Sequence, residues 1–191
     1  HLGSLHLNQT DFNNDGWMDL YIMRGAWYMK QGDIPNTLLM NTGKGTFVDV
    51  TIKAGLTHHA GTQASAWADF NLDGWLDLVV ANESIGDYRR GIDLYINQQN
   101  GTFTHESVAY GLTQNEFFKG CVAVDANNDR YPDIYFSSLT NGNMLMINQG
   151  FKGEKAFLPA GPTANVKAPM SSFPCWNFDY DNDGNEDLFV S

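Results

Sequence analysis

Residues 11–22, DFNNDGWMDLYI, place side-chain oxygens at alternate positions and then turn apolar. With Asp11 as position 1, oxygens fall at positions 1, 3, 5 and 9 (Asp11, Asn13, Asp15, Asp19), and Gly16 stands at position 6. Trp17, at position 7, can offer only its backbone carbonyl. Alternation brings the first three oxygens around one centre, and glycine permits the sharp turn between them. Such a donor set suits a hard cation. Calcium accepts about six to eight oxygens at about 2.3–2.6 Å in a tolerant geometry, whereas magnesium demands a stricter octahedron. No His or Cys interrupts the loop, which argues against zinc there. An EF-hand opens similarly but carries a bidentate Glu at position 12 between two helices. Here position 12 is Ile22, inside an apolar run that reads as a strand.

The stretch recurs as DFNLDGWLDLVV from Asp69, DANNDRYPDIYF from Asp125 and DYDNDGNEDLFV from Asp179, at spacings of 58, 56 and 54 residues. The recurrence extends the candidate ligands to Asp69, Asn71, Asp73, Trp75 and Asp77, then Asp125, Asn127, Asp129, Tyr131 and Asp133, then Asp179, Asp181, Asp183, Asn185 and Asp187. A second motif runs in phase: LLMNTGKGTFVDVTIKAGL from Leu38, LYINQQNGTFTHESVAYGL from Leu94, and a looser LMINQGFKGEKAF from Leu145. Each unit reads as four short strands separated by turn residues, without helical periodicity. Units of that size and strand count fit β-propeller blades. The expected fold is therefore all-β, a propeller fragment of about three and a half four-stranded blades. The repeats run approximately over 1–58, 59–114, 115–168 and 169–191. Because the fourth unit stops after its second strand, the chain is expected to be part of a larger ring.

Charge follows the same pattern. The chain carries 22 acidic against 11 basic residues, a formal −11. The candidate ligand positions of the four loops hold 13 carboxylates, which repel one another strongly at short range unless a cation lies among them. Four Ca²⁺ bring eight positive charges and would take −11 to −3. The fourth loop, with four carboxylates, is expected to bind tightest. The third is expected to bind weakest, because Arg130 replaces glycine and adds positive charge. The acidic surface excludes nucleic acid as a partner. No run approaches the roughly 18 apolar residues of a membrane-spanning helix. Two cysteines, Cys121 and Cys175, are too few for a disulfide framework.

The repeats resemble the FG-GAP/VCBS-like repeats of integrin-α-type propellers. Residues 41–56, NTGKGTFVDVTIKAGL, resemble the cartilage acidic protein/UnbV-type group of secreted proteins. The resemblance implies a calcium-stabilised propeller, often seven-bladed, with the metal in the hairpin between the first two strands of a blade. It also implies an extracellular or periplasmic setting. Arg130 and the looser second motif of the third unit depart from the pattern.

Recognition is expected at the opposite loops, which differ most between units, with Trp27, Tyr28, Tyr88, Arg89 and Arg90 as candidate partner contacts. No catalytic constellation stands out. His58 and His59 follow the AGL turn and read as facing solvent or a partner rather than as ligands. Trp17 and Trp75 are expected to pack between blades. The leading expectation is a non-enzymatic scaffold that binds a protein partner in a larger assembly. The alternative is a carbohydrate-active or carbohydrate-binding propeller.

Overall fold

A computed structural model describes residues 4–150 and 156–191. Residues 151–155, in the third unit's second motif, and residues 1–3 of the first unit lie outside the described residues. Three four-stranded antiparallel sheets follow one another along the chain. The first holds β1 (Ser4–Thr10), β2 (Asp19–Arg24), β4 (Thr37–Asn41) and β5 (Phe47–Asp49); β3 (Ile34–Pro35) lies outside it. β6 (His59–Ala60) pairs with β3 as a small separate ribbon. The second sheet comprises β7 (Thr62–Ala68), β8 (Asp77–Asn82), β9 (Ile92–Asn97) and β10 (Phe103–His105). The third comprises β11 (Phe118–Val124), β12 (Asp133–Ser138), β13 (Met144–Asn148) and β14 (Phe157–Pro159). β15 (Cys175–Phe178) and β16 (Asp187–Val190) form a fourth, two-stranded sheet. These are propeller blades, with β1, β7, β11 and β15 as neighbouring inner strands.

The core is a set of layers between blades, and strand alternation builds it. Side chains of a strand point to opposite faces in turn. In LVVA of β8, Leu78 and Val80 therefore pack on the first blade with Phe12, Tyr21, Met23 and Leu38. Val79 and Ala81 pack the other way, against Phe118, Ile134 and Phe136 of the third blade. Every residue of β8 is buried, which is why the strand reads as unbroken apolar sequence rather than as alternation. A smaller layer joins Val124, Tyr135 and Leu145 to Cys175, Leu188 and Val190 of the fourth blade.

Helix enters only as punctuation. The VAYG segment closes one turn, α1 (Ser107–Tyr110), which Gly111 ends in a left-handed conformation. The period-based reading held no helix because a single turn leaves no 3.6-residue pattern.

The inner strands carry a repeated irregularity. Register shifts between Ser4 and His6, between Thr62 and Ala64, and between Phe118 and Gly120. Such bulges re-aim the extra residue. In the second and third blades these residues are Gln63 and Lys119, and the Lys119 ammonium donates to Gln63 across the blade boundary at 3.4 Å. Lys119 also forms a fully buried ion pair with Glu83. Its ammonium sits 3.4 Å from the ring centre of Trp27 and 3.9 Å from that of Phe117. Glu83 accepts the Trp27 backbone N–H at 2.7 Å, so residues of three blade units meet at one charge pair.

Candidate metal centres

The four acidic loops share one hydrogen-bonding scheme. At position 1, Asp11 accepts the backbone N–H of Asp15 at 3.0 Å and of Gly16 at 2.8 Å. Asp69 does the same with Asp73 and Gly74, Asp125 with Asp129 and Arg130, and Asp179 with Asp183 and Gly184. The side-chain oxygen at position 3 accepts the position-5 N–H in every loop. The carboxylate at position 5 accepts the position-7 N–H, from Trp17, Trp75, Tyr131 and Asn185 in turn. Oxygens at positions 1, 3 and 5 thus turn inward along a curl of backbone, as the alternation required. In the fourth loop Asp179, Asp181 and Asp187 bring carboxylate oxygens within 4.8 Å of one another.

The curl needs left-handed backbone at two positions. Position 6 has φ of 85°, 89° and 89° at Gly16, Gly74 and Gly184, and 74° at Arg130, where a side chain makes that conformation costly. Position 4 is left-handed as well, at Asn14, Leu72, Asn128 and Asn182. Asparagine tolerates this conformation better than other non-glycine residues, so three of the four residues fit; Leu72 does not. The recurring Asn at position 4 was the visible signal for this second bend.

Position 9 anchors the loop to the sheet. Asp19, Asp77 and Asp133 are fully buried at the start of β2, β8 and β12. Each accepts two backbone N–H groups, one from position 2 of its loop and one from the Asn that ends the third strand of the blade. Burial nevertheless lifts Asp77 to about 7 and Asp133 to about 6, and the carboxylates at positions 5 and 1 add to the effect. Asp19 shifts in the same direction, again chiefly through burial. A group of carboxylates penalised in this way, and with only oxygen donors, is chemically suited to a hard divalent ion. The residues fit calcium: positions 1, 3, 5 and 9 would hold it, and its charge would offset theirs.

The Asn at the end of the third strand was visible in the sequence as a repeat but had no assigned task. Asn97 donates to Leu76 O of its own loop at 3.0 Å and to Phe12 O of the preceding loop at 2.8 Å. Asn148 repeats this with Pro132 O and Phe70 O. Asn41 reaches only Met18 O among the described residues. Position-2 side chains follow the same route: Phe12 meets Phe103 at 6.0 Å between centroids, and Phe70 meets Phe157 at 5.8 Å. The first and second loops are therefore wedged against the next blade.

Of the two tryptophans expected to pack between blades, Trp75 borders a cleft with Phe12, Met40 and Val50 of the first blade, whereas Trp17 lies on its own blade, as does Tyr131. Trp17 and Tyr131 lie over Gly43 and Gly150 of their own blades, where an added Cβ would come within 2.8 Å and 2.5 Å of the rings. Those glycines leave room for the ring, so the aromatic covers its own blade rather than the gap between blades.

Residues 11–80 and 69–136 match the FG-GAP-like repeat family. The chain belongs to that family. Its FG-GAP repeats are also similar to cartilage acidic protein 1 of Homo sapiens, at 32% identity over 112 residues, and of Mus musculus, at 31% over 112. The Xenopus tropicalis protein of the same name is 28% identical over 106 residues. Each match covers 55% of this chain and 16% of the relative, so the matched stretch is a small part of those proteins.

On the opposite rim the five candidate contacts are not equally available. The Trp27 ring stacks on Phe173 at 5.5 Å and roofs the Lys119 ammonium. The Tyr88 hydroxyl accepts the Gly61 N–H, and Arg90 pairs with Asp33 while lying over the Tyr88 ring. Trp27 and Arg90 thus tie separate units together, and Tyr88 is held within the second. Trp27 at 46% exposure, Tyr28 at 49% and Arg89 remain open to solvent, Arg89 reaching Asn115 O at 3.4 Å. The loop at 24–36, one of those at which recognition is expected, is closed on itself: Gly25 and Gly32 approach so tightly that a Cβ on either would meet backbone at 1.9 Å. Among the described residues no helix is long and apolar enough to cross a membrane.

Proposed function

We propose that this chain is a non-enzymatic scaffold, braced by calcium at its four acidic loops, that presents its opposite rim to a protein partner outside the cytoplasm. The observation that carries the reading is the buried position-9 carboxylate, raised at Asp77 and Asp133 and set among further loop oxygens. Unpaired carboxylates there oppose folding, and a cation held by the same oxygens reverses the sign. Extracellular modules bind calcium at about 10⁻⁴–10⁻³ M, concentrations met outside the cell. The similarity to cartilage acidic protein 1 supports the same setting. Tyr28 and Arg89, exposed on the far rim and less tied by internal packing than the 46%-exposed Trp27, are the partner contacts.

Calorimetric titration of the chelator-treated full chain with Ca²⁺ tests the reading. Four sites are expected, with Asp187→Asn removing the tightest and Asp133→Asn the weakest. At 1 mM Ca²⁺, a site of about 10⁻⁴ M adds ~1.4 kcal/mol to stability. Loss of all four should therefore lower the melting temperature by roughly 10–20 °C. An unchanged melt in chelator would refute calcium bracing. Cross-linking in the native milieu tests the rim: capture unaffected by Tyr28→Ala with Arg89→Ala would refute its assignment as the partner surface.

A further inference from the structure

A second cluster of ligand-bearing side chains lies away from the acidic loops. Asp93, near the start of β9, is 4% exposed and, among the described residues, has no Lys or Arg partner. Its Oδ2 meets His58 Nδ1 at 2.7 Å, and its Oδ1 meets His105 Nε2 at 2.8 Å. One ligand atom from each of the three residues lies within 4.8 Å of the others. His58 comes from the connection between the first and second blades, and His105 from the end of β10. Both imidazoles are nearly half exposed, so the cluster is buried on its carboxylate side and open on its histidine side.

We propose that His58, Asp93 and His105 form a binding site for a divalent transition ion of borderline softness, Zn²⁺ or one of similar chemistry, distinct from the calcium loops. Two imidazole nitrogens with one carboxylate favour such an ion over calcium, which takes oxygen ligands. Three protein ligands beside an open face leave room for water in the remaining position. Tetrahedral zinc, with bonds of about 2.0–2.2 Å, spaces its ligand atoms roughly 3.3–3.5 Å apart. The two contacts, at 2.7 and 2.8 Å, must therefore open by roughly 0.5–0.8 Å, a movement available to half-exposed rings. Each imidazole then presents the lone pair of the nitrogen that now faces Asp93 and carries its proton on the other.

Outer contacts hold the ligands in place, as metal ligands require. Asn82 donates to Asp93 Oδ2 at 2.7 Å. Tyr95 packs edge-on against the His105 ring at 5.2 Å, while the 3.1 Å contact between Ser107 Oγ and His105 Nε2 gives way to the ion. The nearby Arg90–Asp33 pair offsets its own charges. A bound ion would fasten the connection between blades to the second blade.

The test uses the full chain in saturating Ca²⁺, so that the acidic loops do not compete, with Zn²⁺ titrated by calorimetry. One Zn²⁺ per chain is expected. His58→Gln and His105→Gln should each weaken it by about 10- to 100-fold, while His59→Gln, one residue away and exposed, should leave it unchanged. Melts of the same variants without Zn²⁺ establish that they are folded, and Zn²⁺ should raise the melting temperature of the unsubstituted chain and of His59→Gln more than that of His58→Gln or His105→Gln. Absence of Zn²⁺ binding to the folded chain, equal affinity in the His58→Gln and His105→Gln variants, or an equal loss in His59→Gln would each overturn the assignment. Because calcium is saturating throughout, failure here leaves the calcium reading untouched.

Discussion

Replacing Lys119 with methionine isolates the charge pair at the inner bulge. Lys119 and Glu83 are both fully buried, and Glu83 keeps only the Trp27 N–H once the ammonium is gone. Breaking a buried pair on one side costs about 3–5 kcal/mol, because the remaining charge is left without solvent or partner. In a domain of this size that corresponds to roughly 6–20 °C in melting temperature. The reverse substitution, Glu83→Gln, should cost less. Lys119 retains Gln63 and the faces of Trp27 and Phe117, contacts of about 2 kcal/mol when desolvated. Burial already holds its pKa below the usual lysine value, so it can also shed its proton. The double variant, with no charge left to bury, should recover to within about 2 kcal/mol of the original. Urea unfolding of the calcium-loaded chain measures all three. A Lys119→Met cost below about 1 kcal/mol, or a double variant as unstable as the sum of the singles, would refute the reasoning.

Two further outcomes follow from the loops. Asp77 at about 7 and Asp133 at about 6 have folded-state values above the ordinary 3.8. Their contribution to the metal-free fold is therefore fully present below about pH 3.8 and is lost progressively as pH rises from there through about 6–7. In chelator the melting temperature should fall across that window, while in calcium, which requires the ionised form, the fall should be absent; parallel curves would count against the buried carboxylates. Asn148→Ala removes bonds to Pro132 O and Phe70 O and should cost about 2–3 kcal/mol, whereas Asn41→Ala, with one such bond to Met18 O, should cost about half as much. Equal costs in denaturant melts would show that the interblade bond contributes nothing.

The parts legible in the sequence are those the chain repeats. Leu78–Val79–Val80–Ala81 and its counterparts announce strands because both faces are buried, and the oxygen spacing of the loops survives four copies. The Asn that ends the third strand was legible as a repeat but not as a bond, since Phe12 O and Phe70 O belong to the preceding blade. What occurs once was not legible. Lys119 reaches Glu83 only because a bulge turns it, and a bulge leaves no mark in hydrophobic alternation. His58, Asp93 and His105 belong to a single blade boundary, where the positions matching Asp93 and His105 in the first unit are Thr37 and Asp49. The aromatic and basic residues of the far loops read as partner contacts on composition alone; Trp27, Tyr88 and Arg90 are held internally because the blade boundary needs caps there.

The loop architecture also explains why a cation at one edge can stiffen the whole stack. A position-9 aspartate binds the backbone N–H of the third-strand Asn, and that Asn side chain binds the loop of the preceding blade. Neutralising Asp77 therefore acts on a group that positions Asn97 against Phe12 O, and neutralising Asp133 on one that positions Asn148 against Phe70 O. Neighbouring loops touch directly as well: Asn14 donates to Gly74 O at 3.3 Å and Asn128 to Asn185 Oδ1 at 2.6 Å. Leu72 stands at the corresponding position of the second loop and has no amide with which to reach the third. Coupling between adjacent cation sites should accordingly be strong for the first and second loops and for the third and fourth, and weakest between the second and third. Leu72→Asn supplies the missing donor and relieves a left-handed leucine at once. It should raise both stability and the cooperativity of Ca²⁺ binding, and a variant that gains stability without cooperativity would separate backbone relief from loop-to-loop contact.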